Sequence, residues 1–500
     1  MFEDARSVPR DSTMEADVVI VGAGAAGITL ARALSDTNLR VLLLESGGLE
    51  EEAKTDDLRH GLDSGEPYPV DFCRLRFFGG TTNHWGGWCR PLDPWVFSRR
   101  PWVDDQGWPI DRTTLDPYYE QAAGVVELPT EPTGWQWGWD YWRQELKDEG
   151  VPPLLDGDVV EGAMFRLSPP TRFGTRYRAD LKRAERVVTL LHANALELET
   201  NDSAQLVTGV RVGTLSGNRF RVTGRIVVVA VGGLDVPRLL LLSDTTRPKG
   251  LGNDHDLVGR YFMDHREGSV GTAEIATLPT AFLGGKLSLF ASRRALMALT
   301  PEVLEREQLL AVAVGIDDTT KGVAPLVDKA TGVTAAQVGT VQRALYGGKS
   351  HAVDVFIRAE PKPNRSSRVV LGDERDALGQ RRLDLRYTRS ASDDASIRRT
   401  LEILAQELGR TGEGQLRIAP EYTEQVDNAF LVGCHLMGTT RMADDPTRGV
   451  VDRDLKVHGI DNLYIASSSV FPTVGFSNPT LTIVALTLRL RDEIVARLAP

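Results

Sequence analysis

The sequence predicts an α/β fold built around a Rossmann-like dinucleotide-binding domain. The first observation is an apolar run at residues 16–21, and the second is the glycine motif that follows it at residues 22–27. The third is another short apolar run at residues 41–44, which ends at Glu45. Runs of this length and composition are typical of buried strands. A strand, a glycine-rich turn, a helix and an acidic residue after the next strand are the context in which G-x-G-x-x-G binds a dinucleotide.

The turn and the acid supply the first predicted cofactor contacts. A first glycine permits the tight turn, a second lets the backbone approach a diphosphate, and a third lets the helix pack closely on the strand. The predicted cofactor-binding residues of the turn are Gly22, Gly24, Ala25, Ala26 and Gly27. Glu45 is predicted to bind the adenosine ribose. This pattern alone does not separate FAD from NAD.

A second glycine-rich stretch at residues 77–87 surrounds His84 with four glycines and two threonines. Backbone of this kind can approach a flat ligand closely, because glycine tolerates unusual conformations and has no side chain. The predicted cofactor-binding residues of this stretch are Gly79, Gly80, Thr82, Asn83 and His84.

The carboxyl-terminal region carries the predicted reactive groups. His435 stands alone in a glycine- and threonine-rich segment, residues 433–442. Asn478 precedes Pro479, and Asn followed by Pro is a strong signal for a helix start, because the Asn side chain is expected to cap free backbone N–H groups and Pro needs no donor there. The positive end of that helix suits an electron-rich ring or an oxyanion. A base and a polar partner beside such a helix indicate a site that removes hydride from an alcohol.

These motifs, in this order, resemble those of the glucose–methanol–choline (GMC) oxidoreductase family. The resemblance covers nearly the whole chain. Besides the nucleotide motif, it rests on Gly-Gly-x-Thr-x-His at residues 79–84, His-x-x-Gly-Thr-x-Arg-Met at 435–442, and Asn-Pro-Thr at 478–480. The histidine loop looks most like that of pyranose oxidase and related bacterial sugar oxidoreductases, with Thr82 and Asn83 in place of Ser and Thr.

The resemblance implies FAD as the cofactor and oxidation of an alcohol to a carbonyl by hydride transfer to flavin N5. It implies that His435 is the base, that Asn478 is its hydrogen-bonding partner, and that His84 lies by the flavin, where some relatives carry a covalent bond. Whether that bond forms here is left open. Further cofactor contacts implied by the resemblance are Ala195, Ala230, Ser467, Ser468, Pro479 and Thr480. Ser467 stands where many relatives have Asp, so it cannot supply a carboxylate.

The domain organisation is predicted to be discontinuous, with an intertwined sheet-and-helix substrate domain. The FAD-binding domain is predicted to comprise residues 12–90, 185–270 and 431–500. The substrate domain is predicted to comprise residues 91–184 and 271–430. In the first domain, strands are expected at residues 187–191, 206–212 and 225–230, and a hairpin of the first two is one arrangement open to them. In the second domain, strands are expected at residues 351–359 and 381–387, and a helix at residues 392–408. Residues 271–350 match no specific pattern.

Net charge and the length of the apolar runs limit the kinds of partner that the protein is expected to bind. A net charge of −11 argues against nucleic acid and anionic membranes, and no apolar run approaches the length of a membrane span. The first fifteen residues lack the apolar core of a secretory signal. Cys73, Cys89 and Cys434 show no metal-site spacing, which predicts reduced thiols, no metal site and a cytoplasmic protein.

All nine tryptophans fall between Trp85 and Trp142. Trp135, Trp137 and Trp139 alternate, so on a strand they would share one face, and such rings suit the apolar faces of sugars. A structural wrap around the flavin domain is the alternative interpretation. The remaining histidines have no paired spacing, and no role is predicted for them, His265 included.

The function predicted from these patterns is FAD-dependent oxidation of a sugar, glycoside or polyol, a carbohydrate-like small molecule. Oxygen or another acceptor would then reoxidise the flavin. The alternatives are a hydroxynitrile-lyase-like enzyme that keeps FAD without redox chemistry, oxidation of a non-sugar alcohol, and a redox-silent flavin-binding or electron-transfer subunit. The sequence leaves open the acceptor, the hydroxyl attacked and the oligomeric state.

Overall fold

A computed structural model describes most of the chain, namely residues 1–104, 106–129, 136–150, 153–276, 283–284, 292–318, 351–419 and 431–499. Across these ranges, every helix is too short or too polar to cross a lipid bilayer. The predicted Trp135 and most of residues 271–350 that matched no pattern lie outside the described residues.

The strands of the described ranges form two large sheets and one hairpin. In chain order they are β1 (Phe2–Asp4), β2 (Thr13–Val21), β3 (Val41–Leu44), β4 (Trp88–Cys89), β5 (Val160–Leu167), β6 (Val187–Leu191), β7 (Asn194–Thr200), β8 (Val207–Gly213), β9 (Arg219–Val229), β10 (Arg266–Ile275), β11 (Leu283–Gly284), β12 (Arg293–Leu299), β13 (Val312–Asp318), β14 (His351–Ala359), β15 (Arg368–Arg375), β16 (Arg381–Arg386), β17 (Gly414–Ile418), β18 (Leu431–Val432) and β19 (Leu463–Ile465).

The helices of the described ranges surround these sheets. They are α1 (Ala25–Leu34), α2 (Ala53–Asp56), α3 (Pro94–Phe97), α4 (Arg112–Val125), α5 (Trp139–Asp148), α6 (Phe173–Arg176), α7 (Arg178–Arg183), α8 (Gly232–Leu242), α9 (Pro301–Glu307), α10 (Ala391–Thr411) and α11 (Pro479–Leu498). A short 3-10 turn, Gly80–Asn83, lies within the predicted histidine loop.

The first sheet confirms the predicted Rossmann-like architecture. Its strand order is β1-β6-β3-β2-β9-β8-β7, with β19 also pairing with β9. Strands β1, β6, β3, β2 and β9 run parallel, as does β19, whereas β8 pairs antiparallel with both β7 and β9. Val18, Val19 and Ile20 of β2 are fully buried, as expected for a parallel strand covered on both faces.

The hairpin predicted between the strands at residues 187–191 and 206–212 is wrong, because these two strands do not pair. Strand β6, which covers those residues, lies in the parallel stack beside β3. The antiparallel partner of β8 is β7, which starts after a short break at His192, a residue with positive φ. That turn redirects the chain, and a run of apolar residues does not show where such a turn falls.

The second sheet has the order β17-β10-β14-β13-β12-β5-β4, with β11 beside β13 and β18 beside β10. Its registered pairs are antiparallel apart from β11 with β13. Glu267 of β10 lies opposite Arg358 of β14, and this pairing matters for the site. Helix α10 confirms the helix predicted at 392–408 and packs against β17.

The strand predicted at 381–387 is present as β16 but does not join the second sheet. It pairs with β15 in a separate hairpin that packs against helix α8, beside the first sheet. Leu383 and Leu385 of β16 are buried, so the hairpin attaches through its own small apolar face.

Helix α11 begins at Pro479, as the Asn-Pro signal predicts, and packs against α1 and α4. Asn478 occupies the N-cap position, but its side chain makes no capping hydrogen bond, so the predicted side-chain cap is wrong. The amide is instead directed into the site described below.

Candidate active site

A cavity of about 700 Å³ lies at the carboxyl ends of the parallel strands β2, β3 and β9. In doubly wound sheets this edge is where ligands bind. The predicted site residues that line the cavity are Gly22, Gly24, Ala25, Ala26, Glu45, Gly80, Thr82, His84, Ala195, Ala230, His435, Ser467, Ser468, Asn478, Pro479 and Thr480. The fold therefore brings motifs from both ends of the chain to one wall.

Three predicted cofactor residues lie behind this wall. Gly27 packs so closely on the turn that an added Cβ would sit 1.8 Å from the Gly22 carbonyl oxygen. Gly79 has a φ of +102°, a conformation that favours glycine. The Asn83 amide donates to the Phe78 carbonyl oxygen at 3.1 Å. These residues shape the two loops instead of facing the cavity.

Glu45 is held at the cavity by backbone N–H groups. Its carboxylate accepts from Ala23 N at 3.1 Å and from Gly47 N at 2.9 Å. Burial raises the pKa of Glu45, and these two donors oppose the rise. The carboxylate is thus fixed at the end of β3, where the fingerprint predicts a ribose contact.

The residues present fit a dinucleotide such as FAD. The Nε of Arg76 and the Oδ1 of Asn194 are buried in the cavity wall without a hydrogen-bond partner among the described residues. The Arg76 guanidinium, which also donates to Asp235 Oδ1 at 2.9 Å, brings positive charge suited to a diphosphate. Gly24 has no described atom within 4 Å of where a Cβ would be, so its backbone faces open space.

His435 is anchored from behind by His265. The two Nδ1 atoms are 2.8 Å apart, and His265 Nε2 lies 2.9 Å from the carbonyl oxygen of Gly475. Burial, His435 and Arg358 lower the pKa of His265 to about 3. His265 is 1% exposed, so it is a buried neutral ring that touches the proposed base directly.

Asn478 faces His435 from the other side. Its Nδ2 lies 3.1 Å from His435 Nε2, and its Oδ1 lies 2.5 Å from Arg358 Nη1. Because a guanidinium only donates hydrogen bonds, the oxygen of the amide must face Arg358 and the NH₂ group must face His435. The amide therefore donates to His435 Nε2.

An ion pair between Glu267 and Arg358 lies beside His435 and Asn478. Burial raises the pKa of Glu267, but the opposing effect of Arg358 and His435 is larger, and the pKa falls to about 2. Glu267 Oε1 is 2.5 Å from Arg358 Nε and 3.8 Å from His435 Nδ1. Burial lowers the pKa of His435 to about 4, with Glu267 opposing the fall and Arg358 adding to it. His435 is accordingly neutral near pH 7 and able to accept a proton.

The backbone of the histidine segment is fixed by a buried carboxylate. Asp264 accepts from Cys434 N at 3.1 Å and from His435 N at 2.7 Å. Tyr68 donates its hydroxyl to the same carboxylate at 2.6 Å. Burial raises the pKa of Asp264 to about 7, and these hydrogen bonds oppose that rise. Cys434 itself has a positive φ of 54°, so the segment holds a conformation that is rare for a non-glycine residue.

Cys73 and Cys434 form a disulfide bond in the cavity wall, so the prediction of three reduced thiols is wrong. The two cysteines are 361 residues apart, and no spacing argument reveals such a pair. Cys89 is free and buried. The cytoplasmic location rested in part on cysteine usage, and it stays a prediction without that support.

The tryptophans are arranged differently from the prediction. Trp139 begins helix α5 and Trp137 precedes it, so these two do not share a strand face. The helix start breaks the alternation on which the prediction depended. Trp85 and Trp88 line the cavity instead.

Sequence reasoning missed His265, Glu267 and Arg358. His265 is adjacent to Asp264 in the chain, and the run Asp264-His265 just before an alternating strand is a weak signal for a buried polar site. Glu267 and Arg358 pair across β10 and β14, and this register follows from strand pairing that the sequence pattern does not specify. Among the described residues, no group of three or more His, Cys, Asp or Glu side chains is placed to bind a metal ion.

Comparisons with known proteins agree with this architecture. Residues 363–487 match the family model for GMC oxidoreductase, and residues 20–49 match that for an NAD(P)-binding Rossmann-like domain. The chain is 26% identical to the fructose dehydrogenase large subunit of Gluconobacter japonicus, covering 97% of this chain and 98% of that one. It is 23% identical to 2-methyl-1,2-propanediol dehydrogenase of Mycolicibacterium austroafricanum, covering 97% and 96%.

A solved structure of formate oxidase shares the fold, with a TM-score of 0.60, 18% sequence identity and coverage of 98% and 99% of the two chains. Together with the Rossmann-like sheet and the cavity that fits FAD, these relatives support an FAD-dependent oxidoreductase that acts on CH–OH groups. The chain is therefore similar to GMC oxidoreductases, whose family model matches its residues 363–487.

Two glycine substitutions should separate folding from cofactor binding. Gly27→Ala should lower the free energy of unfolding by about 1–3 kcal/mol, because the new methyl group overlaps the Gly22 carbonyl. Gly24→Ala, the matched control, should leave the stability of the FAD-free protein nearly unchanged but weaken FAD binding, because its methyl group enters the cavity. Denaturant unfolding and flavin fluorescence titration measure both effects. Equal behaviour of the two variants would contradict this division.

Thiol titration checks the disulfide. Denatured, unreduced protein should give one reactive thiol per chain, from Cys89, and reduced protein should give three. The Cys89→Ser variant is the control and should give none before reduction. Three thiols in the unreduced parent would show that Cys73 and Cys434 are not bonded.

Proposed function

We propose that this protein oxidises a CH–OH group of a sugar, glycoside or polyol to a carbonyl, with FAD as cofactor and His435 as base. One observation carries the proposal: the Nε2 of His435 and the Nδ2 of Asn478 lie 3.1 Å apart in the wall of the cavity. The first is an acceptor and the second a donor, which is the pairing that an alcohol oxygen and its proton require.

A substrate hydroxyl would replace the direct hydrogen bond between these two groups. It would donate to His435 Nε2 and accept from the Asn478 amide. His435 then takes the hydroxyl proton while the bond from the carbinol carbon to hydrogen breaks. FAD, when bound, supplies the hydride acceptor. The products are a carbonyl compound, a protonated His435 and a reduced cofactor, which oxygen or another acceptor reoxidises.

Glu267 favours the charge that develops on His435, whereas burial and Arg358 disfavour it. Glu267 Oε1 lies 3.8 Å from His435 Nδ1, so the imidazolium gains an opposite charge nearby. The first turn of α11 forms part of the cavity wall through Thr480 and Ile483. Its positive helix end suits negative charge on the reduced cofactor.

The substrate class is supported by the cavity wall and by the relatives. Trp85 and Trp88 line the cavity, and indole rings of this kind pack on sugar rings. The two dehydrogenases reported above are named for fructose and for 2-methyl-1,2-propanediol, both of which carry more than one hydroxyl. Both relatives are named as redox enzymes, so the lyase alternative has no support from them.

Anaerobic mixing of the holoenzyme with alcohols tests this proposal. Fructose, glucose, methyl glucoside and 2-methyl-1,2-propanediol form one set, and hexanol and benzyl alcohol form the control set. Bleaching of the flavin absorbance by members of the first set is the expected result. Efficient bleaching by hexanol or benzyl alcohol, with none by the polyhydroxy compounds, would refute the substrate class. No bleaching by any alcohol would refute the oxidation itself.

Replacing Asn478 by Ala should slow anaerobic flavin reduction by roughly 10–100-fold, since a hydrogen bond to a charged or developing centre contributes about 1.5–3 kcal/mol. The helix should be unaffected, because the Asn478 side chain makes no capping bond. Stopped-flow absorbance measures the rate of flavin reduction, and thermal unfolding measures the stability of the protein. A loss of stability without a loss of rate would assign Asn478 a structural role only.

A further inference from the structure

We propose that His265 is a positioning residue that fixes the tautomer of His435, so that Nε2, beside Asn478, is the unprotonated nitrogen. This inference rests on the proposed function, in which His435 is the base. It assigns a task to a buried histidine that does not line the cavity and for which the sequence predicts no role.

The assignment of protons begins at Gly475. Its carbonyl oxygen can only accept a hydrogen bond, so the Nε2 of His265, 2.9 Å away, must carry a hydrogen. The ring is neutral, because burial and its charged neighbours lower the pKa of His265 to about 3. A neutral imidazole has one N–H, so the Nδ1 of His265 is an acceptor.

The same reasoning passes the constraint to His435. Its Nδ1 lies 2.8 Å from the acceptor Nδ1 of His265 and must therefore be the donor. Since His435 is also neutral, its Nε2 is left unprotonated. The Asn478 amide, oriented by Arg358, independently presents an NH₂ group to that nitrogen. Both neighbours of His435 thus select the same tautomer.

Two other polar groups near His435, Asp264 and Glu267, do not hydrogen-bond its ring and so do not select its tautomer. Asp264 contacts the histidine segment only through backbone N–H groups, and Glu267 Oε1 lies 3.8 Å from Nδ1, beyond hydrogen-bond distance. Without the His265 acceptor, only the Asn478 amide would favour the tautomer protonated at Nδ1, so part of the neutral His435 would be protonated at Nε2, a form that cannot accept the substrate proton.

The position of His265 is itself held by a buried ion pair. Glu360 accepts from Gly475 N at 3.1 Å and binds the Arg100 guanidinium through both carboxylate oxygens, at 2.6 and 2.9 Å. Gly475 has a φ of +62°, which suits glycine and turns its carbonyl toward His265. The acceptor for His265 is therefore a fixed part of the backbone.

Two substitutions at His265 each keep one of its two hydrogen bonds and remove the other. In His265→Asn, the side-chain oxygen can take the place of Nδ1 and accept from His435, while the contact with Gly475 is lost. In His265→Gln, the amide nitrogen can take the place of Nε2 and donate to Gly475, while the contact with His435 is lost. The two variants are each other's matched control.

The test combines nitrogen NMR of the holoenzyme, labelled with ¹⁵N-histidine, with anaerobic flavin reduction. His435, assigned by its absence in His435→Ala, should be protonated at Nδ1 in the parent and in His265→Asn, and should show both tautomers in His265→Gln. At saturating substrate, His265→Gln should reduce its flavin roughly 10–100-fold more slowly, the range that loss of a ligand-orienting partner costs elsewhere. His265→Asn should stay within a few-fold of the parent.

Protonation of His435 at Nε2 in the parent would overturn the proposal, even if neither variant folds. Equal rates and equal tautomers in the two variants would also overturn it. The proposed function fails differently: a parent that no alcohol reduces, but whose His435 tautomer changes in His265→Gln, would retain the positioning role and lose the reaction.

Discussion

One hydrogen-bonded line of side chains organises the site. It runs from Arg358 through Asn478, His435 and His265 to the carbonyl oxygen of Gly475. A permanent donor stands at one end and a permanent acceptor at the other, so each amide and ring between them has one arrangement of protons that satisfies every contact. The line places an unprotonated ring nitrogen of His435 beside the NH₂ group of Asn478 in the cavity wall, and an alcohol hydroxyl needs one acceptor and one donor of this kind.

The line also depends on both sheets. Arg358 and Glu267 belong to adjacent strands of the second sheet, whereas Asn478 starts a helix that packs beside α1 of the first. Burial of the two rings keeps them neutral, and the neighbouring Glu267 and Arg358 charges balance each other. The disulfide between Cys73 and Cys434 links the loop that precedes the Gly80–Asn83 turn to the segment that carries His435. Cofactor loop and base are thus held in one covalent and hydrogen-bonded unit.

Local patterns predicted the parts of this structure that local physics determines. The turn at residues 22–27 and Glu45 could be identified because strand, glycine turn and acid are contiguous. His435 and Asn478 were identified from motifs, but the use of the Asn478 side chain was not, since an N-cap role satisfies the same sequence signal. His265 meets His435 only after chain segments 170 residues apart come together. Strand register and long-range pairing, not residue type, place such groups.

The central claim is that His435 accepts the substrate proton. Stopped-flow flavin reduction by the His435→Ala variant, under anaerobic conditions with an alcohol that reduces the parent, tests it most directly. The account predicts a rate on the order of 10²–10⁴-fold lower, the usual contribution of a general base, in a variant that still folds and still binds FAD. A variant that binds FAD and reduces it as fast as the parent would show that the proton acceptor lies elsewhere.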